Sequence, residues 1–216
     1  MPLVSLCRQW LPLLLFLVSK FANADPVLNE DYIQIDSRIT PSGERIELIE
    51  FFSYSCLGCY QLGPDLDQWY LGNLKLVNLT LVPIVKNKQS ESLARLYYAL
   101  LALDKLVAVH YDVFGAIHDD RRRLWEVDAQ IKWANEYDIR SEEFQRILDS
   151  EWVSERVDEA RELAKRYPIS VTPTLIVDGV YWTTASMVQS RSRLGSILDF
   201  LIQKAILRRE TLMETR

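Results

Sequence analysis

Cysteine is scarce in this chain. Three occur in 216 residues, and Cys7 lies in an N-terminal leader, which leaves Cys56 and Cys59. One pair with two residues between its members does not build a disulfide scaffold. A bond there would restrict the unfolded chain very little. A structural zinc site needs a second pair of ligands. No third cysteine remains to supply one, and the only two histidines, His110 and His118, read as ordinary helix residues, so no metal is expected. Haem attachment would need histidine after the second cysteine, where Tyr60 stands. Positive charge is also short: 25 basic against 30 acidic residues give a net charge of -5, and losing Arg8 and Lys20 with the leader makes it -7. That balance excludes a nucleic-acid partner, which needs a basic footprint. Long apolar runs are missing too. The longest near the N-terminus, Leu11 to Val18, is broken by Pro12 and is far below the roughly 20 residues of a spanning helix.

What is present starts with that leader. Arg8, the apolar run and the small residues Ala22-Asn23-Ala24 have the order of a cleaved signal peptide, residues 1–24, so the mature chain is expected to start at Asp25 and to work outside the cytoplasm. Hydrophobic residues make up 49% of the chain, enough for a core that needs no covalent staples.

Arg45 to Phe52 reads as a buried strand. A helix follows, with Leu62, Leu66, Trp69 and Tyr70 at spacings of three and four and Pro64 inside it. Leu74 to Ile84 is a second strand, so residues 45–84 form a strand–helix–strand crossover. From Ser90 to Tyr167 there is one glycine and no proline, and amphipathic patterns succeed one another. Ser90-Glu91-Ser92 reads as a helix start, and further helices are expected near 106–118, 125–137, 141–150 and 153–166. Arg121-Arg122-Arg123 between two of them is either a basic docking patch or a solvated turn, and the turn is preferred. Pro168 ends the last helix. Val171 to Val177 reads as a strand, Asp178-Gly179 as a hairpin turn and Val180 to Trp182 as the returning strand. Ser186 to Leu207 reads as one final helix. The class is α/β: a core of residues 25–88 and 160–216 carrying an inserted helical domain at 89–159.

Cys56 stands where the first strand turns into the helix. Free N–H groups and positive partial charge at a helix N-terminus favour a thiolate, so Cys56 is the expected nucleophile. Cys59 lies one turn in, close enough to attack a mixed disulfide on Cys56 and release the substrate. A redox-active disulfide between Cys56 and Cys59 is the best reading of the pair, and its chemistry needs no cofactor.

Phe51-Phe52-Ser53-Tyr54-Ser55-Cys56-Leu57-Gly58-Cys59-Tyr60-Gln61 resembles the active-site segment of the DsbA family of periplasmic disulfide oxidases. The resemblance implies a thioredoxin-like fold interrupted by a helical domain, and a cis proline beside the cysteines, a place that Thr172-Pro173 fills. It implies a role for Glu50 as a buried acid that handles the proton of Cys59; otherwise Glu50 is a solvated carboxylate at a strand edge. It further implies exported proteins with free thiols as substrates, a quinone-linked membrane partner of the DsbB type and a periplasmic location. Residues 25–44 are too few for a separate dimerisation domain, so a monomer is expected.

Two departures bear on strength. The dipeptide between the cysteines is Leu57-Gly58 rather than proline–histidine, and Thr172 replaces valine before the proline. DsbA itself is the standing example of an extreme thiolate, at about 3.5 against about 8.5 for free cysteine. That gap is worth about 7 kcal/mol, and a helix terminus supplies at most about 2. With no imidazole at Gly58, Cys56 is expected to be activated less than that. Disulfide introduction is the leading activity. An isomerase or reductase kept reduced by another membrane partner is the alternative, and a non-catalytic peptide-binding module is a third.

Overall fold

The computed structural model describes residues 25–35, 43–167, 169–188 and 190–214, so the expected leader and Pro168 lie outside the described residues. No helix among the described residues is long and apolar enough to cross a membrane.

Among the described residues, five strands form one sheet: β1 (Ile33–Gln34), β2 (Ile46–Phe52), β3 (Val77–Pro83), β4 (Thr174–Val177) and β5 (Tyr181–Thr184), in the order β1-β5-β4-β2-β3. β2 is central, parallel to β3 and antiparallel to β4. Six of its seven residues are buried, because both faces of the sheet are covered. β4 and β5 form a hairpin through Asp178 and Gly179, both at positive φ (54° and 69°). That is the primed turn whose twist matches antiparallel strands. The Asp178 carboxylate is buried and paired with Arg209, which also donates to the carbonyls of Gly43 and Arg45.

Eight α-helices among the described residues accompany the sheet: α1 (Leu57–Asn73), α2 (Lys88–Ala102), α3 (Leu106–His118), α4 (Val127–Asn135), α5 (Ser141–Leu148), α6 (Glu151–Lys165), α7 (Ala185–Val188) and α8 (Leu194–Glu214). One face of the sheet packs Leu48, Leu175 and Val177 against Leu62 and Leu66 of α1 and Leu194, Ile197, Leu198 and Leu201 of α8. The other packs Ile49, Phe51 and Phe52 against the helices that run from α2 to α6.

Local chemistry moves several expected ends. α2 starts before Ser90, because Asn87 is the cap: its side chain accepts from Ser90 N at 2.9 Å while Ser90 Oγ accepts from Asn87 N, a reciprocal capping box. β3 starts at Val77 rather than Leu74, since residues 74–76 form the turn out of α1. β4 starts at Thr174, and residues 171–173 are bends. The single helix expected over Ser186 to Leu207 is broken into α7, a 3-10 turn at Arg191–Arg193 and α8, which runs on to Glu214. Arg122 and Arg123 pair with Glu136 and Glu126, so their charge is met by neighbouring acids at a solvent-facing turn. α6 is unbroken across residues 159 and 160, where the edge of the insertion was expected.

Candidate active site

β2 ends at Phe52, and a turn at Tyr54 and Ser55 leads into α1, with Cys56 as its N-cap. The cap sulfur accepts from the backbone N–H of Cys59 at 3.2 Å, which ties the thiol to the helix N-terminus. Both cysteines are free thiols. Their environments differ sharply. Cys56 is half-buried, and its pKa is lowered to about 6 by the hydrogen bond from the Cys59 thiol, helped by the Thr172 side chain and the N–H groups of Cys59 and Gly58, against burial. Cys59 is 1% exposed. Burial, then its bond to Cys56, then the charges of Cys56 and Glu50 push its thiol far up. At neutral pH the pair is therefore one thiolate at the surface and one thiol beneath it.

Thr172, distant in sequence, completes the outer wall. The Thr172–Pro173 peptide is cis, and when Cys56 is protonated the Thr172 carbonyl accepts from its Sγ at 3.2 Å. The loop before it is tied by Thr174 Oγ1 donating to Val171 O at 2.8 Å and by Lys86 Nζ donating to Ser170 O at 3.1 Å. Leu57 is 52% exposed and Val171 46%, so an apolar rim flanks the sulfur. A Cβ on Gly58 would meet Pro173 Cδ at 3.5 Å and Cys56 Sγ at 3.7 Å, ordinary contacts. Gly58 is thus not required by lack of space.

Glu50 is 5% exposed, which removes the reading as a solvated strand-edge carboxylate. Its carboxyl is raised to about 8 by burial first, then by the negative charges of Asp67 and Cys56. It is held neutral at physiological pH and has a proton to give.

The two histidines are not ordinary helix residues. His110 Nδ1 lies 2.9 Å from the Tyr54 hydroxyl, and His118 Nε2 donates to the Tyr54 carbonyl at 2.9 Å. Both thereby brace the turn that carries Cys56. Burial lowers His110 to about 4, so it stays neutral. Tyr60, next to Cys59, stacks on Phe114 at 5.5 Å and His118 at 5.7 Å. Their spacing on α3 places positions 110, 114 and 118 on one face; the sequence carries no signal that this face meets Tyr54. Asp67 and Tyr111, joined by a 2.5 Å hydrogen bond behind the pair, also lack any motif.

A low-lying thiolate on a helix N-terminus, above a second thiol that cannot ionise unaided, is chemistry for exchanging disulfides. The protein is a thiol–disulfide oxidoreductase on a thioredoxin-like sheet decorated by inserted helices. It belongs to the DsbA-like thioredoxin family, whose model matches residues 65–195. That match begins after the cysteines, so it rests on the rest of the fold rather than on the motif. The thiol:disulfide interchange protein DsbA of Bordetella pertussis is 33% identical over 165 residues, 76% of this chain and 74% of that protein. Among solved structures, an oxidoreductase DsbA from Xylella fastidiosa superposes with a TM-score of 0.74 at 29% identity, covering 83% of this chain and 97% of that one. Pseudomonas aeruginosa DsbA shares the fold, with a TM-score of 0.78 at 21% identity over 84% of this chain and 95% of that one. The chain carries out thiol:disulfide interchange through Cys56 and Cys59.

Proposed function

We propose that this interchange runs in the oxidising direction on exported proteins with free thiols. A substrate thiolate attacks Cys56 Sγ of the Cys56–Cys59 disulfide; the S–S bond breaks and Cys59 leaves with the electron pair. Glu50 protonates it. A second substrate thiolate then attacks the substrate sulfur of the mixed disulfide, and Cys56 leaves as a thiolate. The substrate gains a disulfide and the pair holds the two electrons. The observation that carries the direction is the Cys56 pKa of about 6. A stabilised thiolate favours the reduced form, and so makes the disulfide an oxidant.

In this reading Thr172 and Pro173 form the wall against which an extended substrate segment lies, pairing with the Thr172 backbone in strand fashion. Leu57 and Gly58 set the strength of the thiolate. The value near 6 lies between DsbA's about 3.5 and free cysteine's about 8.5, as the missing imidazole suggests. The protein acts as a periplasmic monomer after removal of residues 1–24, and a DsbB-type membrane protein reoxidises it. The inserted unit comprises α2 to α6. The deciding experiment traps thiols in living cells. A resting pair that is mostly disulfide supports the oxidase. A resting dithiol favours the isomerase or reductase, and peptide binding that survives Cys56→Ser with no exchange activity in the parent favours a binding module.

A further inference from the structure

Behind the cysteines, α1 carries Cys59, Gly63 and Asp67 four residues apart, on one stripe of the helix. The middle position has no side chain, and Tyr111 of α3 occupies the space. A Cβ on Gly63 would lie 2.8 Å from the Tyr111 hydroxyl oxygen and 3.0 Å from its Cε1. From that gap the hydroxyl donates to Asp67 Oδ2 at 2.5 Å. Asp67 is only partly buried, and this charge-assisted bond ties its carboxylate to the Tyr111 hydroxyl.

Glu50 faces α1. It has the strand parity of Leu48, which packs with Leu62 and Leu66 of α1. The groups electrostatically linked to it are Cys56, Cys59 and Asp67 on α1, Tyr97 on α2 and Tyr111 on α3. None of these is a cation. A second negative charge on Glu50 would thus be opposed by Asp67 with nothing in that set to offset it.

We propose that Asp67, pinned by Tyr111 in the space Gly63 leaves open, is a positioning residue for disulfide exchange: it keeps on Glu50 the proton that Cys59 takes when it leaves the disulfide. This rests on Glu50 being the acid for Cys59. When the substrate thiolate forms its bond to Cys56 Sγ, the Cys56–Cys59 bond breaks, its electron pair goes to Cys59 and the Glu50 proton follows. The Glu50 carboxylate then sits beside the Asp67 charge, which drives it to take a proton back from solvent before the next turnover. No oxidant beyond the disulfide is involved.

The test uses the oxidised mature protein and a one-thiol peptide as probe. Mixed-disulfide formation is followed by mass spectrometry from pH 5 to 9, at constant concentration of peptide thiolate. Carbon-13 carboxyl NMR gives the titration midpoint of Glu50 separately. In Asp67→Asn the midpoint and the alkaline limb of the rate both move down by about one pH unit, the scale of one nearby like charge. Tyr111→Phe moves both the same way by less, and Asp67→Glu restores most of the shift. If Asp67→Asn does not fold, Tyr111→Phe, which removes one oxygen, carries the test. A Glu50 midpoint that neither substitution moves overturns the proposal, as does a midpoint that moves while the rate limb stays. Glu50→Gln separates the two levels. If it leaves the limb in place, Glu50 is not the acid and the reading beneath has failed; if it removes the limb while the Asp67 and Tyr111 variants do nothing, only the present inference has failed.

Discussion

The two faces of the sheet are built from different material. Around α1 and α8 the buried side chains are mostly aliphatic: Leu48, Leu66, Leu175, Ile197, Leu198, Leu201 and Ile202. On the insertion side the wall nearest the cysteines is aromatic and hydrogen-bonded: Phe52, Tyr54, Tyr97, His110 and Phe114 pack at centroid distances of 4.9–6.4 Å. Aliphatic packing is strong but indifferent to charge. Aromatic and imidazole groups hold polar atoms at fixed places and can brace a reactive turn. The thioredoxin-like half thus carries the cysteine pair with Glu50 and Asp67, while the inserted helices brace the turn that bears Cys56 and place Tyr111 against Asp67.

The largest effect should come where the two faces meet. Cys56→Ser is expected to abolish exchange, and Cys59→Ser to accumulate mixed disulfides on Cys56, whose thiolate displaces glutathione from a glutathione-capped peptide, both visible by non-reducing electrophoresis. Limited alkylation of the reduced protein near neutral pH should label Cys56, and preferential labelling of Cys59 would reverse the assignment.

Next, the faces should separate under truncation. Leu198→Ala on the aliphatic side is expected to cost about 2–5 kcal/mol in urea unfolding while leaving the Cys56 thiolate absorbance titration where it was. Phe114→Ala should cost about 3–5 kcal/mol and also shift that titration, since Phe114 contacts both Tyr54 and Tyr60. If both variants shift Cys56 equally, the division of labour does not hold.

pH should divide stability in the same way. Glu50 keeps its proton up to about 8 in the folded state, against 4.5 as an ordinary glutamate. Between those values the native state binds more protons, so stability falls as pH rises, by at most about 4–5 kcal/mol. His110 stays neutral down to about 4 against an ordinary 6.5. There the unfolded chain binds more protons, so stability falls as pH drops through that window, by at most about 3 kcal/mol. Glu50→Gln should flatten the alkaline side of a Tm–pH curve, and His110→Gln the acid side. Curves that keep both slopes in both variants would assign the dependence elsewhere.

A smaller effect is expected from Gly58→His, for which the contacts of the site leave room. The Cys56 pKa should fall below about 6 and the disulfide should become more oxidising in glutathione buffers. If neither moves, Thr172 and Glu50 control the thiolate. The smallest belongs to Arg123→Ala: its exposed pair with Glu126 should contribute no more than about 1 kcal/mol, and exchange should be unchanged.

Local pattern made much of this legible. Strand β2 shows in its apolar run, and the β4–β5 turn in Asp178-Gly179, because backbone chemistry there is decided by neighbours. The same locality explains the misplaced helix start at α2, where Asn87 supplied a better cap than Ser90. The break between α7 and α8 left no comparable mark. Periodicity reports which residues share a face and says nothing of when the chain must turn to reach its partner.

The sequence by itself determined the reactive pair: two cysteines at the spacing of one helical turn, after an apolar strand, with nothing else to bind. It also determined the order of elements around them. Tertiary structure decided how far the proton affinity of each sulfur moves. Thr172 stands 116 residues from Cys56 yet accepts its hydrogen bond, His118 reaches Tyr54 from 64 residues away, and Tyr111 fills the space over Gly63 to hold Asp67. The physical reason is that a thiol's proton affinity depends on burial, charge and hydrogen bonds within a few ångströms, and those groups come from segments that meet only when the chain has folded.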